Sequence, residues 1–296
     1  MRARVPASSA NLGPGFDVIA LALDLYVEVE VEPAARLTVR ATGEGSDMAA
    51  DATHLAASVA IDVAGHDRLS ITVRSDIPVA RGFGSSAALA VAAAAAAGSR
   101  DPLGVAARLD GHPENAAASV VGGLVAATTV KGAVRAVRMP LDIGLVFVAL
   151  VPDRPLATSR ARQALPPQVS RADATFNLGR LSLLLAGLAD RSLLIREATE
   201  DRLHQDYRSP MFPEAPQLLS RLVDAGALAA CWSGAGPSLL GICDGADGER
   251  VRAQAEALMK EMGVPGRAMI RRPDLEGLVV DGGDSGLFDI GHSLRP

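Results

Sequence analysis

Cysteine is almost missing from this chain: Cys231 and Cys243 are the only two among 296 residues. That is too few for a disulfide framework or a zinc cluster, and it points to a reducing, cytoplasmic setting. Aromatic residues are scarce at 3%, although 49% of residues are hydrophobic. The core must therefore be aliphatic and finely packed from alanine, valine and leucine. Excess positive charge is absent too. The formal charge is −5, the cations are scattered, and no basic stretch is interleaved with aromatics. A nucleic-acid partner, which needs a basic face, is not expected. The apolar run from Ala87 to Ala97 is shorter than the roughly 20 residues that cross a bilayer. The opening Met1-Arg-Ala-Arg-Val-Pro6 lacks the apolar stretch of a secretory signal, so no membrane partner is expected. No repeat and no low-complexity linker is visible. The length suits one large domain or two medium ones.

What is present is a glycine-rich stretch, Pro78-Val-Ala-Arg-Gly-Phe-Gly-Ser-Ser-Ala-Ala88, running into an alanine-rich segment that ends at Gly98. Alanine is the best helix former, so the spacing predicts a helix from Ser85 with Gly98 as its C-terminal cap. Gly82 and Gly84 allow a tight turn and close backbone approach. A helix start of this kind carries free N–H groups and a positive dipole end, which suits a phosphate. A plain turn before a buried helix is the competing reading. The common P-loop ending Gly-Lys-Ser/Thr is missing, no lysine is near, and the spacing is not Gly-x-Gly-x-x-Gly. A phosphate carrier of another type is required.

In chain order, residues 2–6 read as a strand, followed by the turn-rich Ala7-Ser-Ser-Ala-Asn-Leu-Gly-Pro-Gly-Phe-Asp17. This is either a surface turn with Asp17 as a helix N-cap, or a pocket mouth where Asn11 and Asp17 offer an amide and a carboxylate. Tyr26 to Val31 alternates valine with glutamate and reads as a half-exposed strand, with Leu37 to Arg40 as its hairpin partner. Asp51 to Ala64 has helical spacing, and Leu69 to Val73 is a strand feeding the glycine-rich stretch. Leu103 to Leu109 is helical. Asp110-Gly-His-Pro-Glu-Asn115 follows, and it could be a metal site, a catalytic constellation or a polar turn. His112 has no second histidine at metal-ligand spacing. A carboxylate here beside Ser86 would make an oxygen-only site, which magnesium prefers.

A domain boundary is placed near Met139-Pro140, giving domains 1–140 and 141–296, before the apolar strand Ile143 to Val151. Arg160 and Arg162 are solvated helix charges or, if one faces a pocket, a fork for a carboxylate. Ala174 to Leu188 reads as a long helix, with helical signals again at Leu193 to Leu203. A proline-bearing loop follows from Asp206. Ser233-Gly-Ala-Gly-Pro-Ser238 reads as a hairpin tip, Arg250 to Met262 as an amphipathic helix and Ala268 to Ile270 as a short strand. The tail from Gly282 has no clear pattern and is expected to be loose.

Three separated motifs then stand together: PASSANLGPGFD at residues 6–17, PVARGFGSSAA at 78–88 and SGAGPS at 233–238. Their combination and order resemble the GHMP small-molecule kinases. The forms ASSANLGPGFD, DGHPENAAASVVGG and ATSRARQALPPQVSRADATFN are similar to those of the homoserine kinases within that superfamily. The resemblance implies an α+β, two-domain GHMP kinase fold. Its N-terminal domain would hold a left-handed βαβ unit, and its C-terminal domain would be a ferredoxin-like α+β unit. It implies ATP and Mg2+ as cofactors and L-homoserine as the phosphorylated substrate, and it allows a homodimer. The alternatives are a GHMP kinase for another small alcohol and a noncatalytic nucleotide-binding homologue.

Carried over residue by residue, the resemblance implies that Pro78, Val79, Ala80, Arg81, Gly82, Phe83, Gly84, Ser85, Ser86, Ala87 and Ala88 wrap the ATP phosphates. Ser86 and Asp110 would hold the metal. Glu114, Asn115, Arg162 and Ser86 are the catalytic candidates. Asn11, Asp17, Glu114, Asn115, Thr158, Arg162, Arg208 and Gly234 are the substrate-binding ones. Two departures stand out. Asp110 and Glu114 exchange the side-chain lengths of the family's Glu-Gly-His-Pro-Asp-Asn, and Phe83 replaces its usual leucine.

Overall fold

Nineteen consecutive residues form the central strand of the first sheet, and the other elements are arranged around it. The computed structural model describes residues 1–281; the expectation for the tail from Gly282 falls outside them. The strands are β1 (Arg2–Asn11), β2 (Gly15–Pro33), β3 (Thr38–Gly43), β4 (Leu69–Ser75), β5 (Leu124–Val130), β6 (Ala133–Met139), β7 (Leu145–Pro152), β8 (Ala229–Trp232), β9 (Leu239–Asp244), β10 (Gly266–Arg271) and β11 (Val279–Asp281). The helices are α1 (Leu55–Ala64), α2 (Ser85–Ala96), α3 (Pro102–Asp110), α4 (Glu114–Val121), α5 (Thr158–Gln163), α6 (Arg171–Ala189), α7 (Gln205–Arg208), α8 (Ala215–Asp224) and α9 (Gly248–Glu261). The first sheet runs β11-β1-β2-β4-β3, with the β5–β6 hairpin attached to β2; the second runs β10-β7-β9-β8.

The scarcity of aromatics shapes the packing. In α2, every residue from Ala87 to Ala96 except Leu89 is buried, and the helix lies against α1, α3, β1 and β2. Alanine faces let these elements approach closely, so adding methylenes there costs about 1–3 kcal/mol through overpacking. Strand β7 is buried at all eight positions. Leu145, Phe147, Ala149 and Val151 join the first core, while Val146, Val148 and Leu150 join a second one around Trp232 and Phe212. A strand covered on both faces needs no polar alternation, which explains its continuous apolar run.

Several sequence expectations change. Val18 to Leu25 does not follow a helix cap at Asp17; it is strand, continuous with Tyr26 to Val31 in β2. The segment Leu37 to Arg40 is not a hairpin partner of β2. The register Val27↔Ser75 to Pro33↔Leu69 gives that edge to β4, and β3 pairs with β4 in parallel from Thr38↔Ser70. Parallel neighbours need a crossover, and α1 supplies it. Strand β1 extends five residues past Pro6 to Asn11, with Ser8 and Ser9 wholly buried rather than on a surface loop. Gly122 and Gly123, both at positive φ, end α4 and separate it from β5. The signals at Leu193 to Leu203 resolve into two short 3-10 turns. The proline-bearing loop contains a helix that its prolines concealed: Pro216 lies in the first turn of α8, and Leu218 and Leu222 form its buried face.

Candidate active site

Three loops meet at one end of the first sheet. The β1–β2 connection is the first, and four of its residues adopt positive φ: Asn11 at 71°, Leu12 at 49°, Gly13 at 82° and Asp17 at 56°. Such conformations cost about 1–3 kcal/mol each for non-glycine residues and persist where surroundings enforce them. The enforcement is visible. Asn11 Oδ1 accepts from Asp17 N at 3.0 Å, and Asn11 Nδ2 donates to Gly234 O at 2.9 Å. Gly234 N in turn donates to Ala10 O at 3.0 Å. The Ser233–Ser238 tip is thereby docked on the end of β1.

The second loop is the glycine-rich one. Ser233 Oγ donates to Gly82 O at 2.7 Å, and a Cβ on Gly82 would collide with Ser233 O. A Cβ on Gly84 would meet Ser8 Oγ and Asn115 Oδ1. Gly84 is the N-cap of α2, at φ 60°, and no side chain caps the helix. The first intrahelical bond runs from Ala88 N to Gly84 O. Helix geometry therefore leaves the N–H groups of Ser85, Ser86 and Ala87 without a helical acceptor. Arg81, the nearest cation in the sequence, is engaged elsewhere: its nitrogens donate to the carbonyl oxygens of Pro152, Val79 and Asp153. Phe83 is wholly buried, and its carbonyl accepts from Ser8 N at 3.1 Å.

The third loop joins α3 to α4. Ser86 Oγ donates to Asp110 Oδ1 at 3.4 Å. Glu114 is only 1% exposed. Its Oε1 lies 2.9 Å from His112 Nδ1 and accepts from Asn115 Nδ2 at 3.2 Å. Glu114 Oε2 is buried and has no hydrogen-bond partner among the described residues. Ser8 Oγ extends the chain of contacts by donating to Asn115 Oδ1 at 2.9 Å. Burial pushes the Asp110 carboxyl above its ordinary value, against the pull of His112 and Ser86. The hydrogen bond to Glu114 raises the His112 imidazole, against burial.

A cationic group closes the opposite wall. Arg162, on α5, holds Asp17 with both terminal nitrogens. Arg208, at the end of α7, is 1% exposed. Its Nη1 lies 3.0 Å from both His204 Nδ1 and Gly234 O. Burial, and then the neighbouring Arg162, lower the Arg208 guanidinium to about 10, so it stays charged at neutral pH. Phe16 sits between the two arginines, with Cζ of each 5.7–5.8 Å from its ring centroid.

A cleft of about 530 Å³ connects these parts. Its lining brings together Asn11, Asp17, Val79 to Ala87, Asp110, Glu114, Asn115, Thr158, Arg162, Arg208 and Gly234. Of the residues singled out in the sequence, Pro78 and Ala88 lie just outside the lining, and Arg160 is exposed away from it. The apolar wing of Val27, Ala41, Met48, Leu55 and Val73 carries no signal in the sequence, because it comes from elements remote in the chain. His204 carries one signal only, its place a helical turn before Arg208. A larger groove of about 810 Å³ runs between the sheets past Asp24, Asp76 and Arg271. It contains none of these convergent groups.

Among the described residues, no helix is long and apolar enough to cross a membrane. Residues 49–123 match the GHMP kinase N-terminal domain family, and residues 183–261 match the GHMP kinase C-terminal family. The chain is 41% identical over 274 residues to a homoserine kinase of Streptomyces coelicolor, covering 86% of this chain and 88% of that one. It is 39% identical over 281 residues to a homoserine kinase of Thermus thermophilus, covering 91% and 94%. The solved structure of homoserine kinase from Cytophaga hutchinsonii superposes with a TM-score of 0.82 at 24% identity, covering 94% and 96%, and this match speaks to the fold. The two sheets, the three docked loops and these similarities agree: the chain belongs to the homoserine kinases of the GHMP kinase superfamily.

Proposed function

We propose that this chain transfers the γ-phosphoryl group of ATP to the side-chain hydroxyl of L-homoserine, giving O-phospho-L-homoserine for threonine biosynthesis. The observation that carries the reading is Glu114 Oε2, a buried carboxylate oxygen without a partner among the described residues. It lines the same cleft as the open N–H groups of α2 and the Asp17–Arg162–Arg208 cluster. An unsatisfied buried acceptor costs about 1–3 kcal/mol, so a site that keeps one needs a donor to arrive, and a substrate hydroxyl is such a donor.

Recognition follows from charge. L-homoserine is a zwitterion, so its carboxylate suits Arg162 and Arg208, and its ammonium suits Asp17. Asn11, Thr158 and Gly234 line that end of the cleft. At the other end, the N–H groups of Ser85, Ser86 and Ala87 and the α2 dipole take the phosphates, in the place of a P-loop lysine. The apolar wing suits the nucleobase. Ser86 and Asp110 would hold magnesium. They offer two hard oxygens on one edge, and among the described residues there is no cluster of three or more His, Cys, Asp or Glu that would form an all-protein cage. That donor set fits an ion that keeps waters and phosphate oxygens. Bound there, magnesium neutralises charge on the phosphate oxygens.

In the reaction the homoserine hydroxyl oxygen bonds to the γ-phosphorus, the bond from that phosphorus to the β,γ-bridging oxygen breaks, and ADP leaves. The hydroxyl proton passes to Glu114 Oε2 or, if Glu114 only orients the hydroxyl, to an oxygen of the transferred phosphoryl group. His112 and Asn115 hold Oε1 and so aim Oε2. The exchanged acids support retained activity: Asp110 reaches Ser86, and the longer Glu114 reaches into the cleft from the first turn of α4. The fold supports the finer architecture as well. Strands β3 and β4 are parallel neighbours joined through α1, as a left-handed βαβ unit requires. The order β10-β7-β9-β8 suits a ferredoxin-like second domain, with the division near residue 140.

A substrate panel with coupled ADP release tests the reading. L-homoserine should be turned over with magnesium, and mevalonate and isoprenoid alcohols should not. Turnover of another alcohol in preference to L-homoserine would overturn it.

A further inference from the structure

We infer that His204 is a positioning residue for Arg208: its ring, held between the Gly13 carbonyl and the Arg208 guanidinium, sets the direction in which that guanidinium faces the cleft. The inference rests on the reading of Arg208 as a holder of the substrate carboxylate.

The chemistry of the two neighbours fixes the state of the imidazole. His204 Nε2 lies 2.7 Å from Gly13 O, which can only accept, so Nε2 carries the proton. His204 Nδ1 lies 3.0 Å from Arg208 Nη1, which can only donate, so Nδ1 presents its lone pair. A neutral ring with one defined tautomer satisfies both contacts. Burial agrees with this, lowering the imidazole to about 4.

The ring itself has little freedom. His204 is wholly buried and stacks on Phe16, with centroids 5.3 Å apart and planes 27° apart. Its backbone is pinned by Asp201. Oδ2 of that carboxylate accepts from His204 N at 2.8 Å and Gln205 N at 2.7 Å, and Oδ1 accepts from Asn177 Nδ2 at 2.7 Å. Arg208 is held much less completely. Among the described residues, its two acceptors, His204 Nδ1 and Gly234 O, are both on Nη1, and its buried Nε has no partner. Losing the imidazole acceptor removes one of two constraints on the guanidinium plane. The Gly13 contact ties the same ring to the loop that carries Asn11 and Asp17. His204 therefore sets the arginine and the acidic loop relative to one another, although it lines no part of the cleft itself.

The test uses the full chain with L-homoserine and with 3-amino-1-propanol, which keeps the hydroxyl and the amine and lacks the carboxylate. His204→Gln can still donate toward Gly13 O but offers no acceptor at the Nδ1 position; His204→Asn places an amide oxygen there. His204→Gln should lower kcat/KM for L-homoserine roughly 10²-fold, as a misplaced substrate contact does. It should leave 3-amino-1-propanol and the KM for ATP within about twofold. His204→Asn should recover at least about tenfold of the loss with L-homoserine. Arg208→Ala is measured in parallel and should erase the preference for L-homoserine over 3-amino-1-propanol. If Arg208→Ala keeps that preference, the carboxylate reading of Arg208 fails. If Arg208→Ala erases it but His204→Gln does not, the role of His204 is overturned alone. An equal loss by His204→Gln on both substrates and on ATP would show a merely structural residue, and also overturns it.

Discussion

Arg162 and Asp17, 145 residues apart in sequence, form a two-bonded ion pair in the lining of the cleft: Nη1 to Oδ2 at 3.0 Å and Nη2 to Oδ1 at 2.7 Å. The two groups that would take the substrate's opposite charges hold each other. A zwitterionic amino acid offers the same two charges in return, so opening the pair and binding substrate are compensating events. About a third of each side chain is exposed, and pairs of that kind contribute only about 0–1 kcal/mol to stability. Asp17→Asn should therefore shift the urea midpoint little while raising the KM for L-homoserine roughly 10-fold or more. A large stability loss with unchanged KM would make the pair a structural clamp.

Glu114→Gln replaces the carboxyl group whose Oε2 has no partner among the described residues by an amide of the same size. If Glu114 takes the hydroxyl proton, kcat should fall roughly 10²-fold or more with KM little changed. Steady-state kinetics at saturating ATP decide it. A raised KM with wild-type kcat would leave Glu114 a binding group.

Gly84→Ala asks whether the loop must be this close-packed. The new Cβ would meet Ser8 Oγ and Asn115 Oδ1 at a φ of 60°. The expected outcome is a destabilisation of about 1–3 kcal/mol together with loss of ATP affinity, since the N-terminus of α2 must shift. Urea denaturation and nucleotide titration read the two effects. A variant with wild-type affinity for ATP would show that phosphate binding does not depend on this turn.

His204 gives stability a pH dependence of defined sign. Its folded-state value, lowered to about 4 chiefly by burial, is below the ordinary 6.5. Between those values the unfolded chain binds the extra proton, so this contribution is complete above about pH 6.5 and is lost as pH falls toward 4. The full loss is on the order of 3 kcal/mol. Urea midpoints at pH 7 and pH 5 should differ in the native chain and differ less in His204→Asn. Equal acid sensitivity in both would assign the effect to other groups.

Much of this site was legible in the sequence because its chemistry is local: glycines at a turn, serines opening an alanine helix, two acids within six residues. The glycine-rich loop, the Asp110–Asn115 turn and the Ser233–Ser238 tip all line or support one cleft. What was not legible depends on partners far along the chain. The β3 pairing was misread because Leu37 to Arg40 shows the alternation of a strand but not which neighbour it will choose. Helix α8 was hidden because its Pro216 starts a helix where a run of prolines suggests a loop. His204 was overlooked because its meaning comes from a carbonyl 191 residues away. The burial of the β1 serines was not legible, since only their partners on other loops show why polar groups can be placed inside.

The central claim is tested most directly by a single-turnover reaction of the purified full chain with magnesium, γ-labelled ATP and L-homoserine, followed by separation of the products. The expected result is transfer of the label to O-phospho-L-homoserine in one exponential phase, abolished by omitting the amino acid. Tight ATP binding with no labelled phosphohomoserine, or label released only as inorganic phosphate, would contradict it.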